Sequence, residues 1–265
     1  MRRVVALPPA LRPFVDDPAA SAFFADFDGS LSPIVRDPAA AAALPAARAA
    51  LARLVPLLRT VVVVSGRPAA FLRDALGIDG LGYVGAYGLE RIVDGEVVVD
   101  DRVRPWVGAI ARAADEADAA LPGLLVERKG SVAVTIHWRT QPDRGAEAVA
   151  WADEAAARLG LERPQRGRMA IELRPPVPVD KGTTVADLAR GASEAAFAGD
   201  DAGDLPAFAA LHRLERDGVL RHGVSIGVAS PESPPEVRQA DVVVDGPAGL
   251  AEVLESLADA LSARG

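Results

Sequence analysis

The chain has 265 residues, half of them hydrophobic, no cysteine and a formal net charge of −8. Such a length buries roughly three quarters of its unfolded surface, enough for one large domain or two smaller ones, and the composition is globular rather than disordered. The acidic balance argues against a nucleic-acid partner, the missing cysteine excludes disulfides and thiolate metal sites, and no apolar run is long enough for a membrane-spanning helix.

Strand-like apolar runs alternate with helical stretches along the first hundred residues. The short run Val4 to Leu7 before Pro8-Pro9 is too brief for a signal peptide's apolar region, so a cytoplasmic location is expected. Ser21 to Asp26 reads as a first buried strand, Ala39 to Leu58 as an alanine- and leucine-rich helix trimmed by Pro45 and Pro56, and Thr60 to Val64 as a β-branched strand covered on both faces. Leu81 to Val84 follows as a short strand. Arg91 to Val93 and Glu96 to Val99, joined by Asp94-Gly95, form a hairpin.

The rhythm then changes to helix (Pro105 to Ala120), two strands (Leu124 to Glu127, Ser131 to Trp138), helix (Pro142 to Leu159) and two more strands (Glu162 to Gln165, Arg168 to Arg174) about a turn at Arg166-Gly167. This block, residues 102–175, reads as an inserted antiparallel α+β module, with Pro175, Pro176 and Pro178 as a hinge on its exit. After it the first rhythm returns: helix Gly182 to Gly191, strand Ala195 to Ala198, helix Leu205 to Asp217, strands Gly223 to Val228 and Asp241 to Val244, and a helix from Leu250 to Ala263. The fold class is α/β, a parallel-sheet core of residues 1–101 and 176–265 with a mobile lid in its middle.

The chemistry concentrates at strand ends. In Asp26-Phe27-Asp28-Gly29 the two carboxylates lie one residue apart after a buried strand, so strand alternation points them the same way, at the end where open α/β sheets bind ligands. Carboxylates so placed hold a divalent cation, and one can attack an electrophile while the other manages protons. A second cluster, Gly199-Asp200-Asp201-Ala202-Gly203-Asp204, also follows a strand. Helix capping would account for one of its acids, Asp204 before Leu205. Three acids in five residues repel one another unless a cation offsets them, and Mg²⁺ shared with the first pair would do so. Ser65-Gly66-Arg67 ends the valine strand with a hydroxyl and turn amides suited to a phosphate oxygen. Of the 29 basic residues only Lys129 and Lys181 are lysine. Lys181 stands at a strand-to-helix boundary, where a compact ammonium suits the same phosphate. His137, His212 and His222 have no metal-ligand spacing, and no phosphate-binding Gly-x-x-x-x-Gly-Lys loop or Gly-x-Ser-x-Gly elbow occurs.

The order Asp-x-Asp-Gly, strand-end Ser, inserted module, Lys, Gly-Asp-Asp-x-x-Asp resembles the haloacid dehalogenase superfamily of aspartate-nucleophile phosphohydrolases. The finer resemblance is to the trehalose-6-phosphate phosphatase family. It rests on Asp26 to Val35, Ser65-Gly66-Arg67, Glu127-x-Lys129-Gly130 with His137-Trp138-Arg139, Glu172-Leu173-Arg174-Pro175 and Asp180-Lys181-Gly182. The resemblance implies a Rossmann-like parallel-sheet core with an inserted α+β cap. It also implies Mg²⁺-dependent hydrolysis of trehalose 6-phosphate through an aspartyl-phosphate. Asp26 would be nucleophile and Asp28 acid/base. Ser65, Gly66 and Lys181 would hold the phosphate. Asp26, Asp28 (through its carbonyl), Asp200 and Asp204 would form the metal site. Arg67, Tyr87, Glu127, Arg128, Lys129 and Glu172 would contact the substrate.

The sequence departs from the family at Ser30, where Thr is usual, at Tyr87, where His is frequent, and at positions 203, 205 and 206. These changes spare the chemistry and bear on the sugar accepted, so a phosphatase of another trehalose-like (pseudo)disaccharide phosphate, or a general sugar phosphatase of the same superfamily, is the alternative. The expected partner is a small-molecule sugar phosphate, with neither nucleic acid nor membrane, on a monomer or weak oligomer.

Overall fold

The computed structural model describes residues 6–35, 37–167 and 169–264. The segment Met1 to Val5, with the start of the Val4–Leu7 run, and Arg168, the expected start of a strand, lie outside the described residues. The chain divides into two compact units, residues 1–88 with 179–265 and residues 89–178.

In chain order, the first unit opens with a short helix that the sequence pattern does not announce, α1 (Arg12–Asp16), then β1 (Ser21–Ala25), α2 (Pro45–Leu54), β2 (Thr60–Val64), α3 (Ala69–Leu76) and β3 (Gly82–Gly85). The expected helix of residues 39–58 is shorter at both ends: Pro45 takes the first turn, where its missing N–H costs nothing, and residues 38–40 form a separate 3₁₀ turn. The second unit holds the hairpin β4 (Glu90–Val93) and β5 (Glu96–Val99), then α4 (Val107–Ala120), β6 (Leu125–Lys129), β7 (Ala133–His137), α5 (Gly145–Leu159), β8 (Gln165–Gly167) and β9 (Ala170–Leu173). The first unit resumes with α6 (Lys181–Leu188), β10 (Glu194–Gly199), α7 (Leu205–Arg216), β11 (His222–Ala229), β12 (Val242–Asp245) and α8 (Gly246–Ser262).

The strands of the first unit run parallel in the order β12-β11-β10-β1-β2-β3. Every residue of β1 and β10 is buried, the pattern of central parallel strands covered on both faces. One face carries Phe24, Val62, Val64 and Phe197 against Val185 of α6 and Phe208 and Leu211 of α7. The chain winds from β1 outward through β2 and β3, and on its return from β10 the other way through β11 and β12. The reversal lies between β1 and β10, paired from Ser21↔Glu194 to Ala25↔Ala198. A crevice forms outside the carboxyl ends of strands at such a switch point.

The second unit's sheet is antiparallel, in the order β6-β7-β9-β8. Val134, Ile136, Ile171 and Leu173 pack with Ala109, Ile110 and Ala113 of α4 and Ala148, Ala152 and Ala155 of α5. By strand alternation, residues 127, 129, 135, 137 and 172 occupy the opposite face. The eighth strand begins at Gln165, where the sequence pattern predicts its end. Pro164 lacks the N–H a ladder needs, so pairing starts beyond it and the turn moves past Gly167. Among the described residues, no helix is long and apolar enough to cross a membrane.

Candidate active site

Asp26 follows the last residue of β1, and its backbone N–H donates to the Ala198 carbonyl at 2.8 Å, which continues the pairing of β1 with β10. Asp200 follows the last residue of β10, and Asp204 lies one tight turn further on. Carboxylate oxygens of Asp26, Asp200 and Asp204, all buried, lie within 4.8 Å of one another. Among them sits the Lys181 ammonium, 2.7 Å from Asp26 Oδ1 and 2.6 Å from Asp204 Oδ1. Lys181 is the first residue of α6. That helix is fixed by a capping box in which Asp180 accepts from the Thr183 N–H and Thr183 Oγ1 from the Asp180 N–H.

The sequence marks Asp204 as the cap of α7, but its side chain makes no cap bond. Its Oδ2 instead accepts the N–H groups of Asp200 (2.9 Å) and Asp201 (3.1 Å), fixing the turn that presents Asp200. Ser30 Oγ donates to Asp200 Oδ1 at 3.1 Å from the loop after β1. Gly29 is required between them: its φ is +82°, and a Cβ there would lie 2.1 Å from Asp200 Oδ2.

Three buried carboxylates around one ammonium leave net negative charge. Burial pushes the Asp200 carboxyl up to about 7, with repulsion from Asp204 and Asp201 adding to it. Burial also raises Asp26, which Lys181 partly offsets, and raises Asp204 in the same way. Lys181 is held well above its ordinary value because its two carboxylate partners outweigh its desolvation. Hard oxygen donors, buried and mutually repelling, match what a divalent cation such as Mg²⁺ requires. Asp26, Asp200 and Asp204 are the residues that could hold one.

Asp28, in contrast, is partly exposed, and its carboxylate is held by a different partner. Arg67 grips it in a fork, Nε to Oδ2 at 2.7 Å and Nη2 to Oδ1 at 2.8 Å. Arg67 also donates to the Pro38 carbonyl and lies 4.7 Å over the Phe71 ring. The Asp28–Arg67 pair joins the loop after β1 to the turn after β2, 39 residues apart, and nothing in either local motif announces it. Ser65 is buried, and its Oγ accepts the Arg67 N–H at 3.3 Å. Tyr87 returns to this turn, its N–H on the Ser65 carbonyl at 3.0 Å and its own carbonyl accepting from Thr184 Oγ1 at 2.7 Å. Gly66 leaves room for the Tyr87 ring, since a Cβ there would meet Tyr87 Oη at 2.7 Å. Ala86 and Tyr87 both have positive φ, 48° and 61°, a strained pair of the kind held at functional sites.

The remaining sequence-assigned residues lie in the second unit. Glu127, Lys129 and Glu172 share the sheet face turned from the helices, with Lys129 Nζ bonded to Glu172 Oε2. His137 Nε2 meets Glu127 Oε2 at 2.8 Å. Arg128 lies on the other face, bonded to Asp115 (3.0 Å) and Asp118 (2.7 Å) of α4. Thr135, which no sequence motif singles out, donates to Glu172 Oε2 at 3.0 Å. Its place two residues before His137 on an alternating strand is the available signal.

A family model described as trehalose-phosphatase matches residues 24–247. The trehalose-phosphate phosphatase of Mycobacterium avium (strain 104) is 37% identical over 251 residues, covering 91% of this chain and 62% of the relative. That of Mycobacterium tuberculosis (strain ATCC 25618 / H37Rv) is 36% identical over 273 residues, covering 97% of this chain and 67% of the relative. The chain thus spans somewhat under two thirds of the length of the M. avium relative. Among solved structures, a trehalose-6-phosphate phosphatase related protein superposes with a TM-score of 0.74 at 24% identity, covering 92% of this chain and all of the other. A haloacid dehalogenase-like hydrolase from Bacteroides thetaiotaomicron superposes with a TM-score of 0.59 at 18% identity, covering 89% of this chain and 98% of the other. Both are similar to this chain in fold.

Proposed function

This chain belongs to the trehalose-phosphatase family, and from that premise we propose that it hydrolyses trehalose 6-phosphate to trehalose and phosphate through an aspartyl-phosphate. The observation that carries the reading is the Asp26–Lys181–Asp204 arrangement, with Asp200 beside it, at the switch point of a parallel sheet. A carboxylate poised as nucleophile, an ammonium against it and three carboxylates able to hold a cation answer the main problem of phosphoryl transfer, the charge on the transferred group.

In this reading an Asp26 carboxylate oxygen attacks phosphorus and the bond from phosphorus to the sugar oxygen breaks. Asp28 gives its proton to the departing sugar oxygen. Asp28 then takes a proton from water, whose oxygen attacks the same phosphorus, and the bond to Asp26 breaks to release phosphate. Ser65 Oγ, the Gly66 N–H and Lys181 hold the phosphoryl oxygens. Mg²⁺ held by Asp26, Asp200 and the Asp28 carbonyl, with Asp204 in support, would supply positive charge to those oxygens. The inserted module of residues 102–175 acts as the lid and reads the sugar through Glu127, Lys129 and Glu172, with Tyr87 of the first unit as a further contact.

Phosphate release from trehalose 6-phosphate is measured beside glucose 6-phosphate, sucrose 6-phosphate and an aryl phosphate, with Mg²⁺ and with chelator. Metal-dependent preference for trehalose 6-phosphate is the expected result. Release from the aryl phosphate alone would retain the chemistry and favour another disaccharide-like phosphate, the alternative raised by Tyr87 and Ser30.

A further inference from the structure

The polar face of the second unit's sheet contains a carboxylate oxygen without a partner. Glu172 is buried at 7% exposure, and among the described residues its Oε1 has no hydrogen-bond partner. A buried acceptor left so costs free energy, and native structures rarely tolerate one without a reason. The other oxygen, Oε2, takes two donors, the Lys129 ammonium and the Thr135 hydroxyl. A carboxylate fastened through one oxygen by two donors from two strands is fixed in rotation, so Oε1 is left as a buried acceptor without a donor. An ionised carboxylate only accepts, so what it lacks is a donor, and the hydroxyls of a sugar are donors.

The fastening comes from the middle strand. In the order β6-β7-β9, Thr135 of β7 lies in register with both Glu127 of β6 and Glu172 of β9. Two residues on, His137 bonds Glu127 Oε2. Each flanking strand thus carries one acid, and β7 holds both. We propose that Thr135, with His137 as its counterpart, is a positioning residue for sugar recognition: its hydroxyl selects which oxygen of Glu172 is left for a substrate hydroxyl. The proposal rests on the reading that Glu127, Lys129 and Glu172 meet the sugar.

Thr135→Val removes the hydroxyl and keeps the β-branched shape, and Thr135→Ser keeps the hydroxyl. Kinetics are measured on trehalose 6-phosphate and on an aryl phosphate, with a melting curve for each protein. Thr135→Val is expected to raise KM for the sugar phosphate about five- to tenfold, the order of one lost hydrogen bond, with kcat within about twofold and the aryl phosphate unaffected. Thr135→Ser is expected to restore KM to within about twofold. Should the valine variant melt early, Thr135→Ala serves in the same comparison. Unchanged KM, or equal losses on both substrates, overturns the proposal. Glu172→Gln separates the two levels. If it raises the sugar-phosphate KM while Thr135→Val does not, only the positioning role falls. If neither does, the sugar-reading assignment falls with it.

Discussion

The charge imbalance at the first unit's acidic cluster makes a quantitative demand on stability. Asp200, pushed up from 3.8 to about 7, binds a proton in the folded metal-free protein where the unfolded chain has lost it. A group raised in this way stabilises the fold fully below the unfolded pKa, and that contribution disappears as pH rises through the folded value. A rise of this size corresponds to about 4 kcal/mol at most, or roughly 8–16 °C of melting temperature for a chain of this length. Asp200→Asn imitates the protonated acid. In chelator, wild type is expected to lose stability between about pH 4 and 7 relative to the asparagine variant, and the variant should be the more stable protein at about pH 7.5. Adding Mg²⁺ at about a hundred times its dissociation constant should return about 2.7 kcal/mol to wild type and much less to the variant. Parallel melting curves for the two proteins across this range, with no differential effect of Mg²⁺, would refute the argument that burial and carboxylate repulsion govern this site.

Other consequences are simpler to measure. Asp26→Asn should lower turnover by about three orders of magnitude or more while leaving the melting curve cooperative; near-normal phosphate release would remove it as nucleophile. Lys181→Met leaves Asp26 and Asp204 buried beside one another without their cation. It should cost about 3–5 kcal/mol in metal-free denaturant unfolding, and a neutral result would mean the ammonium is dispensable to the fold. Arg67→Ala releases both oxygens of Asp28. It should lower kcat about tenfold or more on sugar and aryl phosphates alike; a change confined to KM for the sugar phosphate would make Arg67 a sugar contact instead.

The sequence displays the parts of this molecule whose causes are local. The valine run forms β2, the Asp26-Phe27-Asp28-Gly29 segment lies at the carboxyl end of β1, and the acidic cluster lies at that of β10. Less legible are features set by distant partners. The fork of Arg67 on Asp28 depends on how two loops meet, and Asp204 looks like a helix cap until its turn is seen to fold back over Asp200. Strand edges differ from the pattern where a proline decides which N–H groups are available, as at Pro164. Thr135 carries no local signature because its role arises from register with Glu127 and Glu172, which no single segment contains.

The adjacency of β1 and β10 also governs when the molecule becomes functional. Ser30 and Asp200 touch across 170 positions of chain, and Asp26 meets Lys181 and Asp204 over nearly the same span. Closing so long a loop forfeits chain entropy before any contact repays it, so this pairing is expected late in folding rather than early. During synthesis, the strand bearing Asp26 exists for most of the chain's elongation with its proposed metal partners not yet made. The triad is complete only after residue 204 has emerged and β10 has slotted beside β1. Ion binding at the proposed site would therefore double as a report of completed assembly: a nascent or truncated chain ending with the second unit contains the proposed nucleophile and the proposed sugar-reading face but lacks Lys181, Asp200 and Asp204.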